Sequence, residues 1–199
     1  MPHGCSGVIP PTVEILVTQW PFGEFVDVLD LGCGHGGWGG RVCEFRPHWN
    51  AWGVEGDVRH ETPLWGCYRE VVVADILRWV PRCIGIGRTF HLGLLFEVLE
   101  HLSREDGETL LPLLPQLAPR WLLSTPDRFF QVVGDEDQRA HPFDVHRSVW
   151  AEEDFTSRGW QVLRPPQAED WNTLGWPMHF CAWPSGWDLS AVRCLGHGG

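Results

Sequence analysis

Val28-Leu29-Asp30-Leu31-Gly32-Cys33-Gly34-His35-Gly36-Gly37-Trp38-Gly39 is the stretch on which the fold of this chain turns. Just ahead of the turn, Phe25-Val26-Asp27-Val28-Leu29 is an apolar run that reads as a short buried strand. It delivers Asp30 and then glycines at 32, 34, 36 and 37. A chain that leaves a strand and turns at once into a helix passes through φ > 0, which glycine tolerates. A side chain there would also hold the backbone away from a ligand. The N–H groups opening the next helix, near Gly37 to Gly40, then face that ligand with the positive end of the helix dipole.

The glycine spacing satisfies two patterns. Gly32, Gly34 and Gly37 fit the dinucleotide fingerprint G-x-G-x-x-G, a weak motif by itself. Gly32, Gly34 and Gly36, with Asp30 two residues ahead, fit D-x-G-x-G-x-G. A structural turn with no ligand is the third reading. Asp30 favours the second pattern, because nicotinamide enzymes usually keep an apolar residue at that position.

At 199 residues and 22.6 kDa, the chain has room for one domain with a real core. A second, substrate-binding domain of the kind a dehydrogenase needs has little room. No apolar run approaches the roughly 20 residues of a membrane span, and Met1 to Pro11 lacks the pattern of a signal peptide. The expected location is the cytoplasm. Seven cysteines form no C-x-x-C pair, which argues against a disulfide framework or structural zinc site. The net charge is −11, and all fifteen basic residues are arginine. An acidic surface is poorly suited to a phosphate backbone, so nucleic acid is not expected as a partner.

Along the chain, 1–24 reads as an arm and a helix, Val13 to Trp20, capped by Thr12. Residues 25–126 form a cofactor-binding half and 127–199 a substrate-side half of the same domain. A helix from Trp38 to Phe45 precedes a strand, Asn50 to Glu55, whose carboxylate lies 25 residues after Asp30. An acidic residue there accepts hydrogen bonds from ribose hydroxyls in nucleotide-binding α/β folds; the alternative is a solvated turn carboxylate. A helix from His60 to Cys67 leads to a strand closing on Asp75, and then to a helix from Ile76 to Trp79. Phe90 to Phe96 reads as a strand buried on both faces. Ser103 caps a helix from Gly107 to Leu117, and Arg120 to Pro126 is a fifth strand. Glu152 to Arg158 is a helix, Trp160 to Leu163 and Met178 to Trp183 are strands, and the tail after Ser185 is loosely ordered. Alternating strands and helices imply a parallel sheet covered on both faces.

Asp30-Leu31-Gly32-Cys33-Gly34-His35-Gly36, Val54-Glu55, Ala74-Asp75 and Phe96-Glu97-Val98-Leu99-Glu100-His101 occur in an order and spacing that resemble the class I S-adenosylmethionine (SAM) methyltransferases. Glu97-Val98-Leu99-Glu100-His101-Leu102 with Ser124-Thr125-Pro126 is similar to the ubiquinone-biosynthesis type of that family. The resemblance covers about residues 25 to 183. It implies an α/β Rossmann-like three-layer sandwich, with a seven-stranded, mostly parallel sheet whose last strand, Met178 to Trp183, runs antiparallel. The implied cofactor is S-adenosyl-L-methionine, contacted by Asp30, Gly32, Cys33, Gly34, Gly36, Trp38, Glu55, Asp75, Ile76 and Glu97. Glu97 stands where many relatives carry Asp. Trp38 and Asp75 also have bland readings, as a core tryptophan and a turn cap.

Methyl transfer from a sulfonium is an in-line displacement that needs a placed nucleophile and, for some acceptors, a base. No metal is expected. Three acceptor classes are argued against: no proline pair follows the fourth strand, no lysine exists for a Lys-Asp-Lys-Glu site, and no Pro-Cys pair ends that strand. The expected partner is a small-molecule acceptor. His101, His141, Phe143, Arg147 and Trp150 are the substrate-side candidates, with His146 as base. A polar loop pinned by its histidines is the competing reading, and His101 also fits a structural bond within its turn. A catalytically silent SAM-binding or partner-binding domain and an NAD(P)-dependent reductase are the rival functions.

Overall fold

The computed structural model describes residues 25–127, 143–162 and 178–185. The expected helix from Val13 to Trp20 and the tail after Ser185 lie outside the described residues. Seven strands build one sheet: β1 (Asp27–Leu31), β2 (Asn50–Glu55), β3 (Glu70–Val73), β4 (Leu92–Phe96), β5 (Trp121–Pro126), β6 (Gln161–Val162) and β7 (Met178–Trp183). Their order is β3-β2-β1-β4-β5-β7-β6. The pairs β2–β3, β1–β2, β1–β4 and β4–β5 are parallel. β7 is antiparallel to both β5 and β6, as the resemblance implies.

Among the described residues the helices are α1 (Gly37–Phe45), α2 (Ile76–Gly85), α3 (Arg104–Leu110), α4 (Leu114–Leu117) and α5 (Glu152–Thr156). The helix expected from Ile76 to Trp79 runs on to Gly85, and two further expected helices differ. Residues 60–67 form 3₁₀ turns, Val58–His60 and Pro63–Cys67, because Pro63 cannot donate to a preceding turn and Thr62 caps a fresh start by accepting from the Leu64 amide. The helix expected from Gly107 to Leu117 starts earlier, at the predicted Ser103 cap. Pro112 and Pro115 then divide it into α3, a 3₁₀ turn and α4.

The strand period of two sorts β1 onto both faces of the sheet. Leu29 and Leu31 join one buried cluster with Val80 of α2, Leu110 of α3 and Phe155 of α5. Val26 and Val28 join the other with Val42 of α1, Leu92, Leu94 and Phe180. All five residues of β4 are buried, the pattern of a parallel strand covered twice. β1 lies between β2 and β4: the chain runs from β1 through β2 to β3 on one side, then crosses back to β4 on the other. The crevice at the carboxyl ends of β1 and β4 is where an open α/β sheet takes its ligand.

Candidate active site

A cavity of about 620 Å³ lies over that crevice, within the usual range for a small-molecule site. Its walls come from the glycine turn (Gly32 to His35), α1 (Gly37, Trp38), Glu55 and Gly56 after β2, Asp75 and Ile76, and Glu97, Val98 and His101 after β4.

Glu55 organises one end. The Gly34 amide donates to its Oε2 at 2.8 Å, and the Asp57 amide donates to its Oε1 at 3.0 Å. The Nδ1 of His60 lies 3.2 Å from the same Oε1. Burial alone would raise the pKa of Glu55, but the bonds from His60, Asp57 and Gly34 outweigh it and hold the pKa below the usual range. His60 is raised in turn, chiefly by its bond to Glu55. A carboxylate offers about four lone-pair sites, so most of this one's capacity is already committed within the chain.

The glycine turn is tied down as well. The amides of Gly32 and Cys33 donate to the Val54 carbonyl at 2.8 and 3.1 Å. The Trp65 indole donates to the Gly34 carbonyl at 2.8 Å, and Thr62 Oγ1 to the His35 carbonyl at 2.7 Å. Gly34 has φ +50, and a Cβ built on it would meet nothing within 4 Å. The backbone there is left-handed and faces open space. Of the amides expected to face a ligand, that of Gly39 donates to Tyr68 Oη at 2.8 Å and that of Gly40 to the Gly36 carbonyl at 3.0 Å.

Asp30 and Gly36, both expected to contact the cofactor, are not among the residues that line the cavity. Asp30 follows Val26 and Val28 onto the α1 face of the sheet. There it is 2% exposed, and its Oδ2 accepts from Tyr68 Oη at 2.6 Å. Burial lifts its pKa to about 7, against the bond from Tyr68, with Glu55 adding to the rise. Gly36 is the α1 N-cap at φ 86. Asp75 is both cap and wall: it accepts from the Leu77 amide at 2.9 Å and lines the cavity beside Ile76. Trp38 lines it too, with its ring centroid 4.5 Å from that of Phe96. Cys33 is a wall residue whose thiol pKa is pushed up by burial.

Carboxylates and imidazoles gather at the other end. Glu97 has φ 55 and accepts from Ser124 Oγ at 2.7 Å; burial lifts its pKa to about 7. Glu100 is 2% exposed, accepts from Thr125 Oγ1 at 3.0 Å, and is raised by burial and by Glu97. The amides of Arg147 and Ser148 donate to the Glu100 carbonyl at 2.7 and 3.1 Å. They draw the loop inward, and the His101 and His146 rings meet edge to face at 4.7 Å. Burial, then the His146 charge, lower the pKa of His101 to about 4.

The loop candidates separate. Phe143 and Asp144 line the cavity, but at the Glu55 end: a Cβ on Gly56 would lie 2.9 Å from the Phe143 ring, and Asp144 Oδ1 is 3.6 Å from His60 Nε2. His101 lines the cavity at the Glu97 end. Arg147 is exposed outside it. Trp150 does not form a pocket wall. It is fully buried in the core, over Gly107, whose Cβ would meet it at 2.3 Å, and Arg104 covers its ring at 4.0 Å. His141 lies outside the described residues. Sequence reasoning missed His60 and Tyr68, because nothing local marks either as a partner of an acid 5 or 38 residues away.

No family model and no curated protein matches the chain. Solved structures do. A SAM-dependent methyltransferase from Archaeoglobus fulgidus is 13% identical with a TM-score of 0.58, over 88% of this chain and 92% of that one. Magnesium protoporphyrin IX methyltransferase from Synechocystis PCC 6803, solved with bound S-adenosylhomocysteine (SAH), is 15% identical with a TM-score of 0.59, over 88% and 81%. The fold is that of the class I SAM methyltransferases. Mitomycin 7-O-methyltransferase shares this methyltransferase fold at 16% identity and a TM-score of 0.55, over 88% of this chain and 54% of that longer one.

Proposed function

We propose that the chain is a SAM-dependent methyltransferase with a small-molecule acceptor, working in the cytoplasm. The observation that carries this reading is the cavity across the ends of β2, β1 and β4, walled by Gly34 and Glu55 at one end and Glu97 and His101 at the other. The methyltransferase fold and the activities of its structural neighbours support it.

The residues fit the cofactor. Gly34 leaves the floor open for a close backbone approach. The acceptor capacity left on Glu55 suits a ribose hydroxyl, and Asp75 suits the amino group of an adenine next to Ile76. Trp38 and Phe96 give aromatic surface beside a sulfonium, where a cation gains roughly 0.5–2 kcal/mol. Bound there, SAM would supply an electrophilic methyl group for in-line transfer to the acceptor.

The chain's own work is then to position the acceptor and exclude water. The acceptor enters at the Glu97–His101 end, where His101, held neutral, presents its ring. His146, the base expected from the sequence, stands behind it rather than in the cavity wall.

The test is calorimetry with SAM, SAH and NADH, followed by tritiated-methyl transfer into a metabolite pool. SAM and SAH binding with label transfer supports the reading. Binding without transfer would favour a silent SAM-binding domain, and NADH binding alone would favour a reductase.

A further inference from the structure

A carboxylate oxygen of Glu100 and one ring nitrogen from each of His101 and His146 lie within 4.8 Å of one another. Each is held by a neighbour. Thr125 Oγ1 donates to Glu100 Oε2, and two loop amides on the Glu100 carbonyl bring His146 to His101. His101 is the informative member. Its ring bonds to the backbone of Val145, yet its Nδ1 is buried with no hydrogen-bond partner. The proton therefore sits on Nε2, and Nδ1 presents a buried lone pair that nothing donates to. A metal-bound histidine has this arrangement, with one ring N–H fixed on a backbone carbonyl or carboxylate and the other nitrogen free for the ion.

We propose that Glu100, His101 and His146 bind a divalent transition-metal ion at the acceptor end of the cavity. Two imidazoles and one carboxylate form a mixed N/O set that suits Mn²⁺, Fe²⁺, Co²⁺ or Zn²⁺, whereas Mg²⁺ prefers an all-oxygen shell. Metal–ligand bonds of about 2.1 Å put ligand atoms roughly 3.4 Å apart in a tetrahedral shell, so the ion draws the three side chains together by about 1 Å. Because His101 also lines the cavity, the ion stands at the wall an acceptor meets. This departs from the sequence expectation of metal-free transfer and makes His146 a ligand instead of a base. The proposal does not depend on methyl transfer, since a cation probe needs neither cofactor nor acceptor.

The experiment titrates Co²⁺ and Zn²⁺ into the chelator-stripped full chain by calorimetry, with Co²⁺ also followed by its visible d–d absorption and Mg²⁺ as comparison. One ion per chain is expected, with Mg²⁺ bound more weakly. His146→Asn should lose more than roughly 100-fold in Co²⁺ affinity. Thr125→Val, which only loosens Glu100, should lose roughly 10–100-fold, the usual effect of an outer partner. Circular dichroism checks folding; Glu100→Gln is avoided because that carboxylate is buried. Absence of Co²⁺ absorption and of binding heat overturns the proposal. So does a bound ion whose affinity is unchanged in folded His146→Asn, because the ion is then held elsewhere.

Discussion

The amide of Gly34 and the carboxylate of Glu55 are joined by a hydrogen bond of 2.8 Å, which clamps the glycine turn to the end of the neighbouring strand. The residue expected to hold a ribose therefore also holds the loop that shapes the cavity floor. Glu55→Ala leaves the Gly34 and Asp57 amides and His60 without their acceptor. It should lose about 1–3 kcal/mol of folding stability, and a similar amount of SAM affinity. Urea denaturation and calorimetry read the two effects separately. Wild-type affinity in the variant would remove the ribose assignment.

Two glycines a few residues apart should respond in opposite ways. Gly34→Val places its side chain in open space at φ +50. It should fold with a backbone cost of about 1–2 kcal/mol and lose SAM binding. Gly39→Ala sets a Cβ 2.1 Å from the Tyr68 ring and should fail first in folding. Circular dichroism melts and SAH titration distinguish the two; an unfolded Gly34→Val would make that glycine structural first.

Tyr68 tests whether Asp30 serves the fold or the cofactor. Tyr68→Phe strips the hydroxyl that accepts from Gly39 and donates to Asp30, leaving two buried groups unpaired. Stability should fall by about 1–3 kcal/mol, with SAM affinity changing less than threefold. A loss of affinity matching the loss of stability would return Asp30 to the cofactor site.

The Glu55–His60 pair has a pH window. Glu55 is depressed below 4.5, so its contribution is present above 4.5 and lost as pH falls through its folded value. His60 is raised above 6.5, so its contribution is complete below 6.5 and lost as pH rises through its folded value. The stability difference between wild type and His60→Asn should therefore be largest from pH 4.5 to 6.5. Comparing the two proteins cancels the opposite trend from Asp30, whose raised pKa favours the fold in acid. A difference independent of pH would mean that His60 acts through packing alone.

The amino-acid order alone determined the sheet of this protein and the place of its crevice. Strand runs, glycine spacing and acids at strand ends are local patterns, and parallel strands joined by helices admit few topologies. β2 and β7 have the bounds the sequence predicted. Whether an acid faces a ligand or a neighbour was decided by tertiary structure, because that depends on which distant side chain arrives. Asp30 is bonded to Tyr68, 38 residues on. Trp150 left the expected pocket wall because Gly107 on α3 made room for an indole in the core. His101 and His146 lie 45 residues apart, and backbone bonds such as the two amides on the Glu100 carbonyl bring them into contact.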